Sequence, residues 1–441
     1  MKPKSKSEKW LVHWFAWTVA IFGVACLLDE LTDGASSSRL VGRHGVFKHS
    51  MTSHLGGEYW QIASSLNRGE GFSNPFPMPT GPTAWMPPAL VYVEAGLLQV
   101  FGDRRAHVGP LVMLLKSVTI ALTCAAVCVM AQSRRQLTLA IVAISIVLLT
   151  NLYWVFQITH DAWLIMGATA AIFWLHRSME RLNTKPWLAG WGAMGGLMAL
   201  ISPGVGFCWA AVMLFGGRFS RREIALAALV SILTVTPWVI RCHYALGRFV
   251  PIKSNAGFEL WLSNVTDDDG LLDETTLHKH HPFLNAGEDM AKFVGQGEIA
   301  VIDSRKKEAF AWIAKHPRDY LQKCGNRLVA MLIWYQPFDP SDRIQPLKLM
   351  VKRIGHLLPA IACLGLVLTS RGRRNPDVRL LLLIYGSFLL PYVLVSYYDR
   401  YGAGLVPIKV LALFFAMSLY LPGGNRQDHP ESVERHRDSL S

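Results

Sequence analysis

Charge is scarce in this chain. Asp, Glu, Lys and Arg together make up 17% of its 441 residues, against 51% hydrophobic residues, and the mean hydropathy is +0.26. An ordinary soluble domain carries a charged share of about 25%, so that class is excluded. Paired cysteine spacing is also missing. Of the seven cysteines, Cys26, Cys124, Cys128, Cys208 and Cys363 sit inside apolar runs, where a thiol behaves as a small hydrophobe; Cys242 and Cys324 fall outside them and are the one pair left open to a disulfide. A disulfide-stapled scaffold is therefore excluded. The sequence has no phosphate-binding glycine loop, no HExxH pair and no nucleophile elbow, which sets aside P-loop, zincin and α/β-hydrolase chemistry. No internal repeat is visible. No small-x-small cleavage site follows residues 10–28, so that first apolar run is expected to stay as an anchor.

The apolar residues gather into long blocks separated by short polar runs, the pattern of a multi-pass membrane protein. The formal charge of +13 could suggest nucleic acid. The basic residues instead form short clusters between apolar blocks, as positive-inside topology requires, and no nucleic-acid partner is expected. Lys2, Lys4, Lys6 and Lys9 place the N-terminus in the cytoplasm. Spans are read at 10–28, 108–131, 137–150, 162–175, 187–201, 205–215, 224–240, 347–368, 380–395 and 405–421. Residues 89–101 are apolar but short, and fit a surface-lying or re-entrant helix. The spans at 187–201 and 205–215 are short and glycine-rich, hence tightly packed. The fold class is thus all-α integral membrane, a bundle of about ten transmembrane helices with a helical first outer loop and a small extracytoplasmic domain. The divisions are an N-terminal module at 1–240 carrying the loop 32–88, an extracytoplasmic segment at 241–343, C-terminal helices at 344–421 and a polar tail at 422–441. Helices are predicted within the extracytoplasmic segment over 297–315 and 317–334.

Four segments fall on the outer face: 32–88, 151–161, 241–343 and 396–404. The first is too polar to cross hydrocarbon and is trapped between apolar runs. It holds Glu58 before Tyr59 and Trp60, then Trp85 in a Pro-rich re-entry. Asp161 stands beside His160 in the second, Arg241 opens the third, and Arg400 lies in Tyr397-Tyr398-Asp399-Arg400-Tyr401 in the fourth. Two carboxylates and two guanidiniums on one face suit group transfer from a lipid phosphate. A carboxylate takes a proton from an acceptor hydroxyl or amine, and planar Arg neutralises a phosphate leaving group. Glu58 equally complements a helix N-terminus, the two Arg equally snorkel, and Tyr59, Trp60 and Trp85 equally form an interfacial belt. The run Asp267-Asp268-Asp269-Gly270 lacks the alternating ligands of a calcium loop and reads as a solvated turn. His278, His280 and His281 are adjacent on a loop and are not read as a metal site.

The run Thr236-Pro237-Trp238-Val239-Ile240-Arg241, continuing through Gly247-Arg248-Phe249-Val250-Pro251-Ile252 to Leu260-Trp261-Leu262-Ser263-Asn264, resembles a signature of bacterial GT-C glycosyltransferases. These are the polytopic enzymes similar to the aminoarabinose transferase and protein O-mannosyltransferase group. Gly69-Glu70-Gly71-Phe72 with the re-entry at 81–88, His316-Pro317-Arg318-Asp319-Tyr320-Leu321, and Arg400-Tyr401 with Pro407 follow in the same order. The resemblance covers most of the chain. It implies a bacterial inner-membrane enzyme with its site on the periplasmic face, a polyprenyl-phosphate sugar donor, an extracytoplasmic lipid, glycan or protein acceptor, and inversion at the anomeric carbon. It implies a first-loop acid as base; where the family has Asp before this Tyr, the chain has Leu55-Gly56-Gly57-Glu58, so Glu58 is the nearest substitute, with Asp33 and His54 in reserve. Asp161 matches the second-loop acid that orients the acceptor or a metal. Arg400 and Arg241 are assigned to the donor phosphate, and Tyr59, Trp85 and Tyr401 to substrate. No cofactor is required by any motif, and a divalent metal is left open. Two alternatives stand beside this reading: a catalytically impaired relative that binds lipid-linked sugar, and a secondary transporter or lipid flippase.

Overall fold

The computed structural model describes residues 6–36, 55–102, 105–157, 160–178, 185–284, 288–338 and 345–420. The loop at 37–54, with His54, and the tail from 421 lie outside the described residues. Every one of the ten apolar segments is helical: α1 (Lys6–Ser36), α4 (Arg105–Met130), α5 (Arg134–Thr150), α6 (Ala162–Ser178), α7 (Lys185–Ile201), α8 (Pro203–Phe215), α9 (Arg221–Leu246), α15 (Pro346–Leu368), α17 (Pro376–Leu394) and α18 (Val406–Tyr420). Between them lie α2 (Gly57–Asn67), α3 (Pro88–Phe101), α10 (Ala256–Asn264), α11 (Glu274–His280), α12 (Glu288–Gln296), α13 (Glu298–Lys315), α14 (Pro317–Leu332) and the short α16 (Ser370–Arg374). Among the described residues there is no strand, only the isolated bridges Ser73–Pro82 and Leu271–Tyr397. The reserve base Asp33 falls in the last turn of α1.

Polar residues flanking the apolar blocks set the helix ends. Ser133 accepts the Gln136 N–H at the start of α5, and Ser220 with Glu223 forms a reciprocal capping box at the start of α9. Asn375 accepts the N–H groups of Asp377 and Val378 ahead of α17, with Pro376 in its first turn. Gly247 stops α9 with φ 64°, a left-handed conformation that costs glycine nothing.

Six helices are long and apolar enough to cross a membrane: 9–28, 108–130, 221–246, 346–368, 376–394 and 399–420. These are compatible with a multi-pass membrane protein. Helices α5, α6 and α7 have 17 residues and α8 has 13. At about 1.5 Å per residue they reach about 20–26 Å, short of a hydrocarbon core of about 30 Å. Glycines draw the short helices together. A Cβ on Gly192 or Gly196 would lie 2.6 or 2.7 Å from the Ala227 or Ser231 carbonyl of α9 or its neighbouring side chains, the close backbone approach that a small-xxx-small stripe permits. Helix α18 is the most buried member of the bundle and α1 and α9 are peripheral, presenting Phe15, Val19, Ile232 and Leu233 outward.

A second core is built from α2, α3, the loop between them and α10–α13, around Tyr59, Trp60, Phe76, Trp85, Phe258, Trp261 and Phe293. Three polar clamps hold it together and to the bundle. Glu298, at the N-terminus of α13, receives the Thr83 hydroxyl, the Ala84 N–H (3.1 Å) and the Ser254 hydroxyl (2.6 Å). Arg241, near the end of α9, donates to the carbonyls of Thr83 (2.5 Å) and Phe72. Arg327 of α14, fully buried, donates to Gly270, to Ser263 and to the carbonyls of Val393 and Leu394 that end α17. Together they bring the ends of four separate stretches of chain to one place.

Candidate functional site

The first stretch delivers Glu58 and Tyr59 on the opening turn of α2. Two glycines precede them for steric reasons. Gly56 has φ 84°, and a Cβ there would sit 3.0 Å from the His160 ring; a Cβ on Gly57 would overlap the Phe283 ring at 2.0 Å. No side chain fits at either position, so the turn lies flat against its neighbours.

The second stretch delivers His160 and Asp161 immediately before α6. The Tyr59 hydroxyl donates to Asp161 Oδ2 at 3.0 Å, and His160 Nδ1 stands 2.5 Å from Asp161 Oδ1. Arg400 Nη1 stands 2.8 Å from His160 Nε2. A guanidinium only donates, so Nε2 faces a donor, while Nδ1 faces both the Asp161 N–H, at 2.8 Å, and the Asp161 carboxylate. The result is a connected cluster of Arg400, His160 and Asp161, with Tyr59 closing it from the other side. Burial alone would push the Asp161 carboxyl up; the His160 ring, the Arg400 charge and the Tyr59 hydroxyl overcome it and hold the carboxyl below the usual carboxylate range. Tyr59 moves the other way, burial and the Asp161 charge pushing its hydroxyl well above its ordinary value.

The fourth stretch, a short 3-10 turn over Asp399–Leu405, carries Arg400 and Tyr401. The Arg400 guanidinium lies over the Tyr398 and Tyr401 rings at 5.2 and 5.5 Å, and Tyr401 stacks on Tyr392 with centroids 4.2 Å apart. Arg400 Nε is buried and has no acceptor among the described residues.

The third stretch adds three groups that sequence reasoning missed. His281 Nδ1 accepts the Phe283 N–H, which leaves the Nε2 proton facing Glu58 Oε1 at 3.6 Å. Glu259, buried on α10, receives the Ser396 hydroxyl at 3.1 Å and the Asn255 amide at 3.4 Å. Lys253 feels Glu259, Arg400, Asp161 and Glu58 together. Burial pulls the His281 imidazole and the Lys253 ammonium below their ordinary values, with Glu58 opposing it at the first and Glu259 at the second. A carboxylate among Phe258, Trp261 and Leu262 on one helix was the available signal for Glu259. His281 and Lys253 sit in loops with no periodicity to mark them.

Glu58, Asp161, Arg400, Tyr59 and Tyr401 thus come together. Two other candidates do not join them. Arg241 is occupied: its Nη1 and Nη2 hold the Thr83 and Phe72 carbonyls, and the guanidinium lies over the Phe72 and Trp238 rings. Trp85 has no exposed surface and packs among Phe76, Phe258 and Phe293. In this structure it is a core residue with no face left for a substrate. His278, His280 and His281 diverge to three different acids, Glu274, Asp289 and Glu58. Asp267 forms a capped turn, accepting the Gly270 N–H and the Thr276 hydroxyl. All seven cysteines are free.

The donor set does not suit a metal ion. Both Asp161 oxygens already receive hydrogen-bond donors, and among the described residues no group of three or more His, Cys, Asp or Glu side chains gathers. Glu58 differs from Asp161: no hydrogen bond among the described residues reaches its carboxylate, and its side chain is 13% exposed.

No family model matches the chain, and no match is found among curated proteins or solved structures.

Proposed function

We propose that the chain is a membrane glycosyltransferase that moves a sugar from a polyprenyl-phosphate donor to an extracytoplasmic acceptor with inversion. The observation that carries this reading is the pairing of a carboxylate that accepts no hydrogen bond among the described residues, Glu58, with a guanidinium, Arg400, whose Nε–H lacks an acceptor there, in one cluster of half-buried groups. Glu58 takes the proton from the acceptor hydroxyl or amine as the acceptor atom bonds to the anomeric carbon. The bond from that carbon to the phosphate oxygen breaks on the opposite face, and the electron pair leaves with the phosphate. Arg400 neutralises the charge that develops there, and Lys253 adds a second cation. Asp161 holds His160 and Tyr59 in place, and the His281 Nε2 proton directs the Glu58 carboxylate. Tyr401, half-buried beside Arg400, is the ring assigned to substrate contact. The ten helices then all count as spans, with the site on the periplasmic side of a bacterial inner membrane and the N-terminus in the cytoplasm.

Glu58→Gln is expected to abolish sugar transfer while the purified protein keeps its wild-type unfolding temperature. The measurement is single-turnover transfer from a radiolabelled polyprenyl-phosphate sugar. Full turnover by this variant removes Glu58 from the mechanism. Donor binding by the wild type with no transfer to any lipid, glycan or protein acceptor replaces the enzyme with a binding protein.

A further inference from the structure

Helix α14 is amphipathic in the opposite sense to a helix that faces water. Its inward face carries the cations. Arg327 spends its guanidinium on the Gly270 carbonyl (3.1 Å), the Asn264 amide oxygen (2.6 Å) and the carbonyls of Val393 and Leu394. Lys323 is buried beside it and donates to the carbonyls of Asn264 (2.8 Å) and Asp267 (2.5 Å). The outward face is largely apolar: Leu321, Leu328 and Val329 are exposed on one side of the helix, with Gln322 and Gly325 between them, and exposed Ile333 and Trp334 follow just past its last residue. A single exposed leucine is ordinary; a largely apolar face opposite buried charges is not.

What covers this face is indicated by what it runs into. The Arg353 guanidinium of α15 lies 3.7 Å over the Trp334 ring, joining the end of α14 to a helix of span length. That helix continues the exposed apolar surface through Leu347, Met350 and Ile354. The inward contacts of α14 land on the last turn of α17, a second helix of span length, where the Tyr320 hydroxyl also donates to the Leu394 carbonyl at 3.0 Å. A helix anchored to the end of one span and continuous with the outer stripe of another lies at the level of a membrane face. Its first turn, by contrast, exposes Arg318 and Asp319.

We propose that α14 is embedded in the lipid, its Leu328–Ile333 side against the acyl chains and its Arg318 end in the headgroup layer. It is then an interfacial helix rather than part of a domain standing free in water. Because Arg327 ties it to Ser263 and Asn264 at the end of α10, the helix that carries Glu259, it also fixes the depth of the charged cluster in the bilayer. This inference does not depend on the glycosyltransferase reading.

The test is spin-label accessibility in the full-length protein reconstituted in phosphatidylcholine–phosphatidylglycerol nanodiscs. Cys26 and Cys363 are first replaced by Ser, and single cysteines are introduced as Leu328→Cys, Ile333→Cys and Arg318→Cys. All three residues are exposed, so each substitution removes less packing than a core truncation. The expected result is a ratio of oxygen to nickel-chelate collision rates several-fold higher at 328 and 333 than at 318. A nickel-dominated signal at 328 and 333 places the face in water and overturns the proposal. Low collision rates with both reagents mean that another polypeptide covers the face, and overturn it as well.

Discussion

Arg241 and Arg400 are chemically the same residue in similar company, each with its guanidinium over two aromatic rings. They nonetheless serve different ends. Arg241 turns its donors on two backbone carbonyls of a loop far away in sequence and is consumed in doing so. Arg400 meets a histidine and the fields of two acids, Glu58 and Asp161, and keeps its Nε–H unspent. An arginine among aromatics is therefore no indicator of ligand binding. The state of its donors is.

The sharpest way to break that contrast is to exchange function for stability at the two positions. Arg400→Lys is expected to lower sugar transfer by about 10²–10³-fold, the range seen when one preorganised donor is removed from a developing charge. The unfolding temperature of that variant should stay near the wild-type value. Equal loss of transfer and of folded protein would reduce Arg400 to a second clamp. Arg241→Met is expected to act the other way. It leaves the Thr83 carbonyl without a donor among the described residues, at about 1–3 kcal/mol, and the Phe72 carbonyl with the Thr83 N–H alone, so thermal unfolding in detergent should shift down, while the surviving folded fraction transfers sugar at the wild-type rate per molecule. A selective rise in donor KM for Arg241→Met would restore it to the phosphate site.

The carboxylates beside the two arginines sharpen the comparison with a smaller effect. Burial pushes Glu298, next to the Arg241 clamp, above its ordinary value, so the folded state binds protons more readily than the unfolded chain. Its contribution to stability is complete below the ordinary carboxylate pKa of about 4 and fades as pH rises through the folded value. Asp161 has the reverse sign: its contribution is present above the ordinary value and is lost only as pH falls through its depressed one. Glu298→Gln should therefore flatten the decline of stability on the alkaline side of the carboxylate range, and Asp161→Asn the decline on its acid side. Chemical unfolding across a pH series reads both slopes, and interchanged slopes would contradict the two environments described for them.

Much of this was legible beforehand, for reasons that can be stated. The apolar blocks are helices because length, composition and flanking caps such as Ser220 and Asn375 are local properties. The glycines of α7 pack as their spacing implies. Asp161 and Arg400 meet because each flanks the end of an apolar run, and Glu58 joins them from the opening turn of α2. The span count was less legible: α8, with 13 residues, is helical but too short to be assigned by length alone. What sequence reading could not see is which carbonyls lie opposite a side chain once the loops have closed. That knowledge consumes Arg241, buries Trp85 and recruits Lys253, Glu259 and His281.

The contacts around Arg400 bear on the imidazole beside it. His160 meets an Arg400 N–H at one ring nitrogen and both the Asp161 N–H and the Asp161 carboxylate at the other. A phosphate that drew Arg400 away would remove the first contact and leave the second. Nitrogen-15 shifts of the selectively labelled ring should therefore move on anion arrival, a built-in reporter that needs no added probe.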